Sequence, residues 1–139
     1  MADAGINWSA WAYVDYDSGT DWNAVEQANA NTIVSDKIDL DGKVACEVSF
    51  EIVEDDTGDV AAAGVETFVL GSIDGTQFEE AWKAWLLNIT AVRNDTVLKK
   101  IAISPKHYGS CKISVYNNTN QTLETTLQYR TGTIPKATA

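Results

Sequence analysis

Apolar and polar residues alternate along most of this chain, and the segment 43–53 shows the pattern most clearly. Val44, Cys46, Val48, Phe50 and Ile52 fall on one side, and the residues between them are mostly polar. Successive side chains of a β-strand point to opposite faces, so the segment predicts a strand with one buried and one solvated face. Similar runs recur down the chain and predict a protein built mainly of β-strands.

Eight strands are predicted, and Gly, Asn and Asp separate most of them. They cover residues 8–14, 33–40, 43–53, 65–72, 85–92, 97–104, 110–117 and 122–130. Asp41-Gly42 supplies a tight hairpin turn between the second and the third. Short strands at regular intervals with polar turns favour an antiparallel β-sandwich over a parallel α/β fold. The sequence therefore predicts an all-β antiparallel sandwich with little helix.

One segment departs from the alternation. The apolar residues of this segment follow at intervals of four, three, one and three, which is helical spacing; they are Phe78, Trp82, Trp85, Leu86 and Ile89. A helical turn over 76–84 that leads into a strand is the prediction for this part of the chain.

The two ends of the chain differ from its middle. Residues 1–31 combine a polar loop with an Ala- and Asn-rich stretch that has no clear period, and predict an N-terminal arm or a long connection. Residues 32–131 form the predicted β-sandwich domain. Residues 132–139 are small and polar, and predict a flexible tail.

Length and charge restrict the class of protein. A chain of 139 residues fits one domain with its own core. Ten Lys and Arg face 20 Asp and Glu, and the net charge of -10 disfavours nucleic acid as a partner because phosphate binding depends on basic side chains. Neither a signal peptide nor an apolar run of the ~20 residues that a membrane helix needs is visible, so no membrane partner is expected.

The sequence predicts no catalytic residues and no cofactor. The one histidine, His107, would need an exposed Cys111 beside it to form a nucleophilic pair, but Cys111 falls on the apolar face of a strand. Cys46 falls on an apolar face too, and both are predicted to be buried reduced thiols, with a disulfide between two sheets as the alternative. No phosphate loop or zinc-ligand set is present.

Calcium is the metal that the sequence leaves open. Asp15, Asp17, Asp21 and Glu26 place carboxylates at intervals that partly match a calcium loop. The match is incomplete because Thr20 stands where the helix-flanked loop needs Gly. Clustered Asp in turns usually bonds the local backbone, which is the preferred interpretation here.

Five tryptophans are many for a chain of this length. Trp8 and Trp11 are three residues apart, so on one strand they would face opposite ways and a single core would bury at most one of them. Tryptophan is enriched at protein interfaces, which favours core and subunit interface over a sugar-stacking platform. The residues predicted to mediate assembly are Trp8, Trp11, Tyr13, Tyr16 and Trp22.

Three stretches from Ser35 onward share a strand-and-turn pattern: SDKIDL at 35–40, FVLGSIDGT at 68–76 and KISVYNNTNQTL at 112–123. They carry a resemblance to small virion structural proteins of tailed bacteriophages. It implies a jelly-roll-like β-sandwich that lies in the virion and has no catalytic residues.

The function that this resemblance implies is capsid decoration, in which the protein cements the outer surface of a phage capsid. Its partners would be the major capsid protein or other virion proteins, and the chain would be a homo-oligomer on the particle. Two alternatives stay open: a carbohydrate-binding module of a tail spike or fibre, and a tail or head-completion subunit.

Overall fold

The structure of the protein is a computed structural model that describes residues 5–54, 64–80, 85–92, 95–105 and 109–135. These residues contain thirteen β-strands and no helix. The strands are β1 (Asn7–Trp8), β2 (Ala12–Tyr13), β3 (Asp15–Tyr16), β4 (Thr20–Asp21), β5 (Val25–Gln27), β6 (Thr32–Val34), β7 (Ile38–Asp39), β8 (Ala45–Glu54), β9 (Gly64–Ser72), β10 (Trp85–Ile89), β11 (Asp95–Ile103), β12 (Ser110–Asn118) and β13 (Leu123–Thr133). None of the described residues forms a helix long and apolar enough to cross a membrane.

Two antiparallel sheets make up the sandwich. The first has six strands in the order β1-β13-β8-β11, and β2 and β5 pair with β13 farther along the same edge. The second has five strands in the order β10-β9-β12-β6, with β7 also paired to β12. β3 and β4 form a separate two-stranded ribbon. The predicted all-β antiparallel sandwich is confirmed.

Alternation along the central strands places the core between the two sheets. On β8, Cys46, Val48, Phe50 and Ile52 are buried, and the residues between them are only partly covered. They belong to one apolar cluster with residues of β12 such as Ile113. Burying one such aliphatic side chain contributes about 1.5–3 kcal/mol, so this buried set is the main favourable contribution to folding.

The long strands lie where the alternation predicts them, but two predicted strands are broken. The segment 8–14 is divided into β1 and β2, and the segment 33–40 into β6 and β7. The predicted helical turn over 76–84 is wrong for residues 76–80, which are not helical, and 81–84 lie outside the described residues. Asp74 Oδ1 accepts hydrogen bonds from the N–H groups of Thr76 and Gln77, which closes a local turn after β9.

The N-terminal segment is part of the sandwich and does not form a detached arm. Its strands β1, β2 and β5 pair with β13, and its side chains Val14 and Trp22 are in the core. Trp22 Nε1–H donates to Thr125 Oγ1 at 2.8 Å, which satisfies the one polar group of this buried ring. At the other end β13 continues to Thr133, so the first residues of the predicted tail are in the sheet.

Candidate ligand-binding face

The outer face of the six-stranded sheet carries the candidate site. On β13, Leu127 points into the core and is fully buried. Side chains alternate between the two faces of a strand, so Gln128 and Arg130 point outward. The register places Arg130 opposite Glu47 of β8, and Gln128 opposite Ser49. These residues form the polar half of the face.

A β-bulge brings two tryptophans to this same face. Trp8 pairs with Gly132 and Ala12 pairs with Tyr129. Ala12 comes four residues after Trp8, but Tyr129 and Gly132 are only three residues apart, so the N-terminal segment has one extra residue. Ser9 N–H still donates to Thr131 O at 2.8 Å, which places the extra residue at Ala10 or Trp11. One extra residue reverses the alternation. Trp8 and Trp11 therefore lie on one side of the sheet, although they are three residues apart.

Arg130 holds the two indoles in place. Its guanidinium carbon lies 4.3 Å from the ring centroid of Trp8 and 4.9 Å from that of Trp11. A guanidinium over an aromatic face contributes about 0.5–1 kcal/mol at an exposed site. Trp8 and Trp11 keep 37% and 38% of their surface exposed, so both rings still present area to a ligand.

Glu47 binds the N–H edge of the same guanidinium. Arg130 Nε–H donates to Glu47 Oε1 at 2.7 Å and Nη2 lies 2.6 Å from the same oxygen, while Lys100 Nζ lies 3.3 Å from Oε2. The hydrogen bond from Arg130 holds the pKa of the Glu47 carboxyl below its ordinary value, and the bond from Lys100 acts in the same direction. Both carboxylate oxygens are thus engaged at neutral pH. We call Trp8, Trp11, Glu47, Lys100 and Arg130 the Arg130 cluster.

Two exposed apolar side chains come just before the first residues of β1 and β8, on either side of the end of β13. Ile6 and Val44 are 44% and 40% exposed. A side chain at Gly132 would collide with Ile6 Cγ2 and would stand 3.5 Å from Trp8 Cε3, so the absence of a side chain there makes room for both residues. On the other side, Tyr13 is opposite Gln128 and extends the aromatic row.

The structure divides the five residues predicted to mediate assembly. Trp8, Trp11 and Tyr13 lie on the outer face, but the prediction is wrong for Trp22, which is fully buried. Tyr16 packs against Trp22 with 5.6 Å between ring centroids, so it belongs to the edge of the core. A buried tryptophan and an exposed one have the same sequence signal, and only the packing separates them.

The carboxylates considered for calcium are not gathered into a metal site. Asp15 and Asp21 pair across the β3–β4 ribbon, whereas Glu26 lies on β5 opposite Glu124. The turn between β3 and β4 is closed by Asp36, whose carboxylate accepts hydrogen bonds from Ser18 and Gly19 at 3.2 and 2.7 Å. Within the described parts of the chain, no group of three His, Cys, Asp or Glu side chains is placed to hold a metal ion.

The remaining candidates are placed only in part. Cys46 and Cys111 are buried free thiols on the two sheets, as the apolar alternation predicts. His107 and Trp82 lie outside the described residues, and Trp85 is described only as part of the backbone of β10.

Sequence reasoning missed Glu47, Lys100, Gln128 and Arg130. Each stands at an outward position of a correctly predicted strand, so the sequence marks it as a surface residue. Their proximity depends on the pairing of β13 with β8 and of β8 with β11. That pairing joins residues more than 80 positions apart for Arg130 and Glu47, and alternation alone does not specify it.

Comparisons with known proteins concern the fold. No family model and no curated protein matches the chain. Among solved structures, a Family 16 carbohydrate-binding module aligns with a TM-score of 0.45 and 10% identity, over 86% of this chain and 85% of that one. A carbohydrate-binding module from Cellvibrio mixtus lichenase 5A, in complex with cellotriose, aligns with a TM-score of 0.40 and 8% identity, over 96% and 89% of the two chains.

Part of a much larger enzyme also aligns with this chain. It is a family GH115 4-O-methyl-α-glucuronidase with specificity for decorated arabinogalactans, and it aligns with a TM-score of 0.47 and 9% identity. The alignment covers 92% of this chain but only 18% of that enzyme. At these identities the likeness is one of β-sandwich architecture, and the chemistry of the site rests on its own residues.

Proposed function

We propose that this chain is a non-catalytic carbohydrate-binding protein whose glycan lies along the Arg130 cluster. The observation that carries the proposal is the pair of half-exposed indoles, Trp8 and Trp11, fixed on one face of a rigid sheet by Arg130. The C–H faces of a sugar ring pack on indole surface, and the hydroxyls at its rim need donors and acceptors nearby.

Polar side chains supply those partners beside the indoles. Gln128 and Ser49 are opposite each other on the same face and are partly exposed, and Tyr13 stands next to Gln128. Lys100 keeps 53% of its side chain exposed and has ammonium hydrogens to spare beyond its contact with Glu47. Because the indoles are already held in place, little side-chain entropy is lost when a ligand binds.

The same geometry argues against catalysis at this face. A glycosidase needs a carboxyl group that is protonated near neutral pH to act as the acid. Glu47 has a lowered pKa and is an anion bound by two cations, so it cannot supply that proton. We expect binding of glycans without turnover.

Native gel electrophoresis with polysaccharide in the gel tests the proposal. It measures binding through mobility, so it works equally well for variants that lack a tryptophan. Neutral polysaccharides should retard the wild-type protein, and Trp8→Ala or Trp11→Ala should each weaken binding about tenfold through the loss of one stacking surface. Tyr116→Ala is the matched control, because Tyr116 is a partly exposed aromatic on the outer face of the other sheet. If the double variant Trp8→Ala/Trp11→Ala migrated like the wild type in every polysaccharide, the proposed function would be wrong.

A second candidate, a virion structural protein, is favoured by the resemblance at 35–40, 68–76 and 112–123. For this proposal the partner would be the major capsid protein or another virion protein, and the apolar residues Ile6 and Val44 would be covered on the particle. Val44→Ser separates the two candidates, since it should weaken protein association and leave glycan retardation unchanged. Antibody detection of the chain in many copies on purified phage particles supports the virion assignment, and its absence from them contradicts it.

A further inference from the structure

A cavity of about 280 Å³ lies beside the start of β12. We call it the Ser110 pocket. It is lined by charged and polar groups from three separate segments, including Lys37, Asp39, Asp41, Asp74, Gly75 and Ser110. None of these residues belongs to the Arg130 cluster, so the two sites are distinct.

The Ser110 hydroxyl is the unusual group in this pocket. Ser110 is 4% exposed, and its buried Oγ is the side-chain atom that lacks a hydrogen-bond partner within the described structure. Buried hydroxyls in folded proteins are almost always paired, because an unpaired one loses its bond to water without replacement. An unpaired hydroxyl on the wall of a cavity indicates a partner other than the described residues, and a ligand in the cavity can supply it.

Backbone hydrogen bonds fix the walls of the pocket. Leu40 N–H donates to Gly109 O at 2.9 Å, and Gly109 N–H donates to Ser72 O at 3.0 Å. The next residue, Ser110, pairs with both Asp39 and Ser72. The three segments therefore meet through main-chain bonds, and the pocket exists before any ligand binds.

Asp74 is held in a defined orientation at the rim. Its Oδ1 accepts hydrogen bonds from Gln77 N–H at 2.9 Å, Thr76 N–H at 2.8 Å and Ser72 Oγ–H at 3.1 Å. These bonds, the one from Gln77 first, lower the pKa of the Asp74 carboxyl and keep it ionised. All three end on Oδ1, so Oδ2 keeps its acceptor capacity for a ligand.

Lys37 faces Ser110 across the glycine. Gly75 has a φ of +77° and no side chain, and a methyl group there would stand 3.4 Å from Lys37 Nζ and 3.8 Å from Ser110 Oγ. Within the part of the chain that the structure describes, no salt bridge joins Lys37 to a carboxylate. The ammonium and the carboxylates thus stand around the cavity without neutralising one another.

From these groups we infer that the Ser110 pocket binds a single neutral sugar ring. Three carboxylates accept hydrogen bonds from ligand hydroxyls, Lys37 donates to a ligand oxygen, and Ser110 can do either. Three negative charges against one positive charge disfavour an anionic ligand. The carboxylates do not form a metal-ligand group, which makes hydroxyl donors the better match for them. The inference does not depend on glycan binding at the Arg130 cluster.

Titration of ¹⁵N-labelled protein with glucose, galactose and xylose, each followed by amide chemical shifts, tests this inference. At least one neutral sugar should shift the amides of Gly75, Gly109 and Ser110 in a saturable manner, and glucuronate should not. Ser110→Ala should raise the Kd about tenfold, the loss expected for one hydrogen bond. Its melting temperature without sugar should not fall, because the hydroxyl makes no bond within the described structure.

Ser114→Ala is the matched control, since Ser114 is a buried serine on the same strand but does not line the pocket. Asp74→Asn is a second test at the rim, and it should also weaken binding. The inference is overturned if no neutral sugar shifts these amides, if glucuronate or glucosamine alone does so, or if Ser110→Ala binds like the wild type. The same titration of Trp8→Ala/Trp11→Ala separates the two sites. If the amides of the Ser110 pocket still shift in this variant, sugar binding there is independent of the Arg130 cluster.

Discussion

The side chain of Arg130 makes cation–π contacts, a hydrogen bond and an ion pair. Its guanidinium carbon lies 4.3 and 4.9 Å from the centroids of two indoles, and its N–H groups bind a single oxygen of Glu47. A guanidinium is planar, so it can stack and donate in its own plane at the same time, whereas an ammonium cannot. The orientation of Trp8 and Trp11 is therefore set by the shape of Arg130 as well as by its charge.

Replacing Arg130 with Lys tests this role. The charge is kept, but stacking on two rings is lost, and we expect the protein to be destabilised by about 1 kcal/mol and glycan retardation to decrease. Urea denaturation and native gels measure the two effects. Lys112→Arg is the control on the other sheet, where Lys112 Nζ lies 4.6 Å from the Phe78 ring centroid. Unchanged retardation by Arg130→Lys would show that the indoles do not need the guanidinium plane.

Glu47 gives the aromatic face a defined dependence on pH. Its pKa in the folded protein is below the ordinary 4.5, so the stabilisation from its ion pairs is complete above that value and is lost as the pH falls through the lowered pKa. We expect tryptophan emission and glycan binding to be constant from pH 7 to about 5 and to change only below that range. Glu47→Gln should remove the transition. A wild-type transition near pH 6 would contradict this account.

At the scale of single elements, the bulge between β1 and β2 determines that both Trp8 and Trp11 lie on the outer face of the sheet. Ala10 and Trp11 together oppose Arg130, because Ser9 and Ala12 are already matched to Thr131 and Tyr129. Bulges commonly redirect a side chain in this way at a sheet edge. The extra residue puts Trp11 beside Trp8.

Deletion of Ala10 should therefore preserve the site. Without this residue the ladder becomes continuous, and Trp8 and Trp11 become two positions apart, so both still point outward. We expect retardation by polysaccharide to stay within about threefold of the wild type, less than the loss of one hydrogen bond or stacking contact. Loss of binding in a folded deletion variant, checked by circular dichroism, would show that the bulge has another role.

Removal of residues 1–31 should unfold the domain. The deletion removes three strands paired with β13 and exposes the cavity of Trp22, whose replacement by a small residue alone costs about 3–5 kcal/mol. Circular dichroism and protease digestion should show loss of structure, and deletion of residues 1–5, which ends before β1, is the control. A stable truncated sandwich would restore the interpretation of this segment as an arm.

At the scale of the whole molecule, the two sheets bury one cysteine each. Burial raises the pKa of the Cys46 thiol to about 11 and that of the Cys111 thiol to about 12, and the proximity of Cys46 acts on Cys111 in the same direction. Both thiols stay neutral and unreactive in the folded protein at pH 8. They become accessible only when the sandwich opens.

This burial predicts a loss of stability at alkaline pH. The folded-state pKa values lie above the ordinary 9.0, so the folded protein binds more protons than the unfolded chain from pH 9 upward. Stability is thus complete below pH 9 and falls as the pH rises toward 11–12. Melting temperatures from pH 8 to 11 measure the slope, and Cys111→Ala should reduce it. Rapid reaction of native thiols with a disulfide reagent at pH 8 would contradict the buried arrangement.

Some features of the site were within reach of sequence reasoning and others were not. The outward position of Glu47 follows from the alternation around Val48 and Phe50, and Trp8 and Trp11 were identified as surface candidates. The sequence prediction groups Trp22 with the same surface residues, yet Trp22 fills the core. Residue type alone does not reveal that Trp22 O accepts a hydrogen bond from Leu127 N–H of β13, which places this residue in the sandwich.

The sequence by itself determined the period-two pattern, and with it the strands, their inward faces and the buried thiols, because alternation is a property of neighbouring residues in one strand. Only the tertiary structure decided which strands pair, where one extra residue reverses a face, and which distant side chains meet. Arg130 and Glu47, or Lys37 and Ser110, come together through hydrogen bonds between strands and segments far apart in the chain. Those bonds are alike for every residue type, so the identities of the residues do not encode them locally.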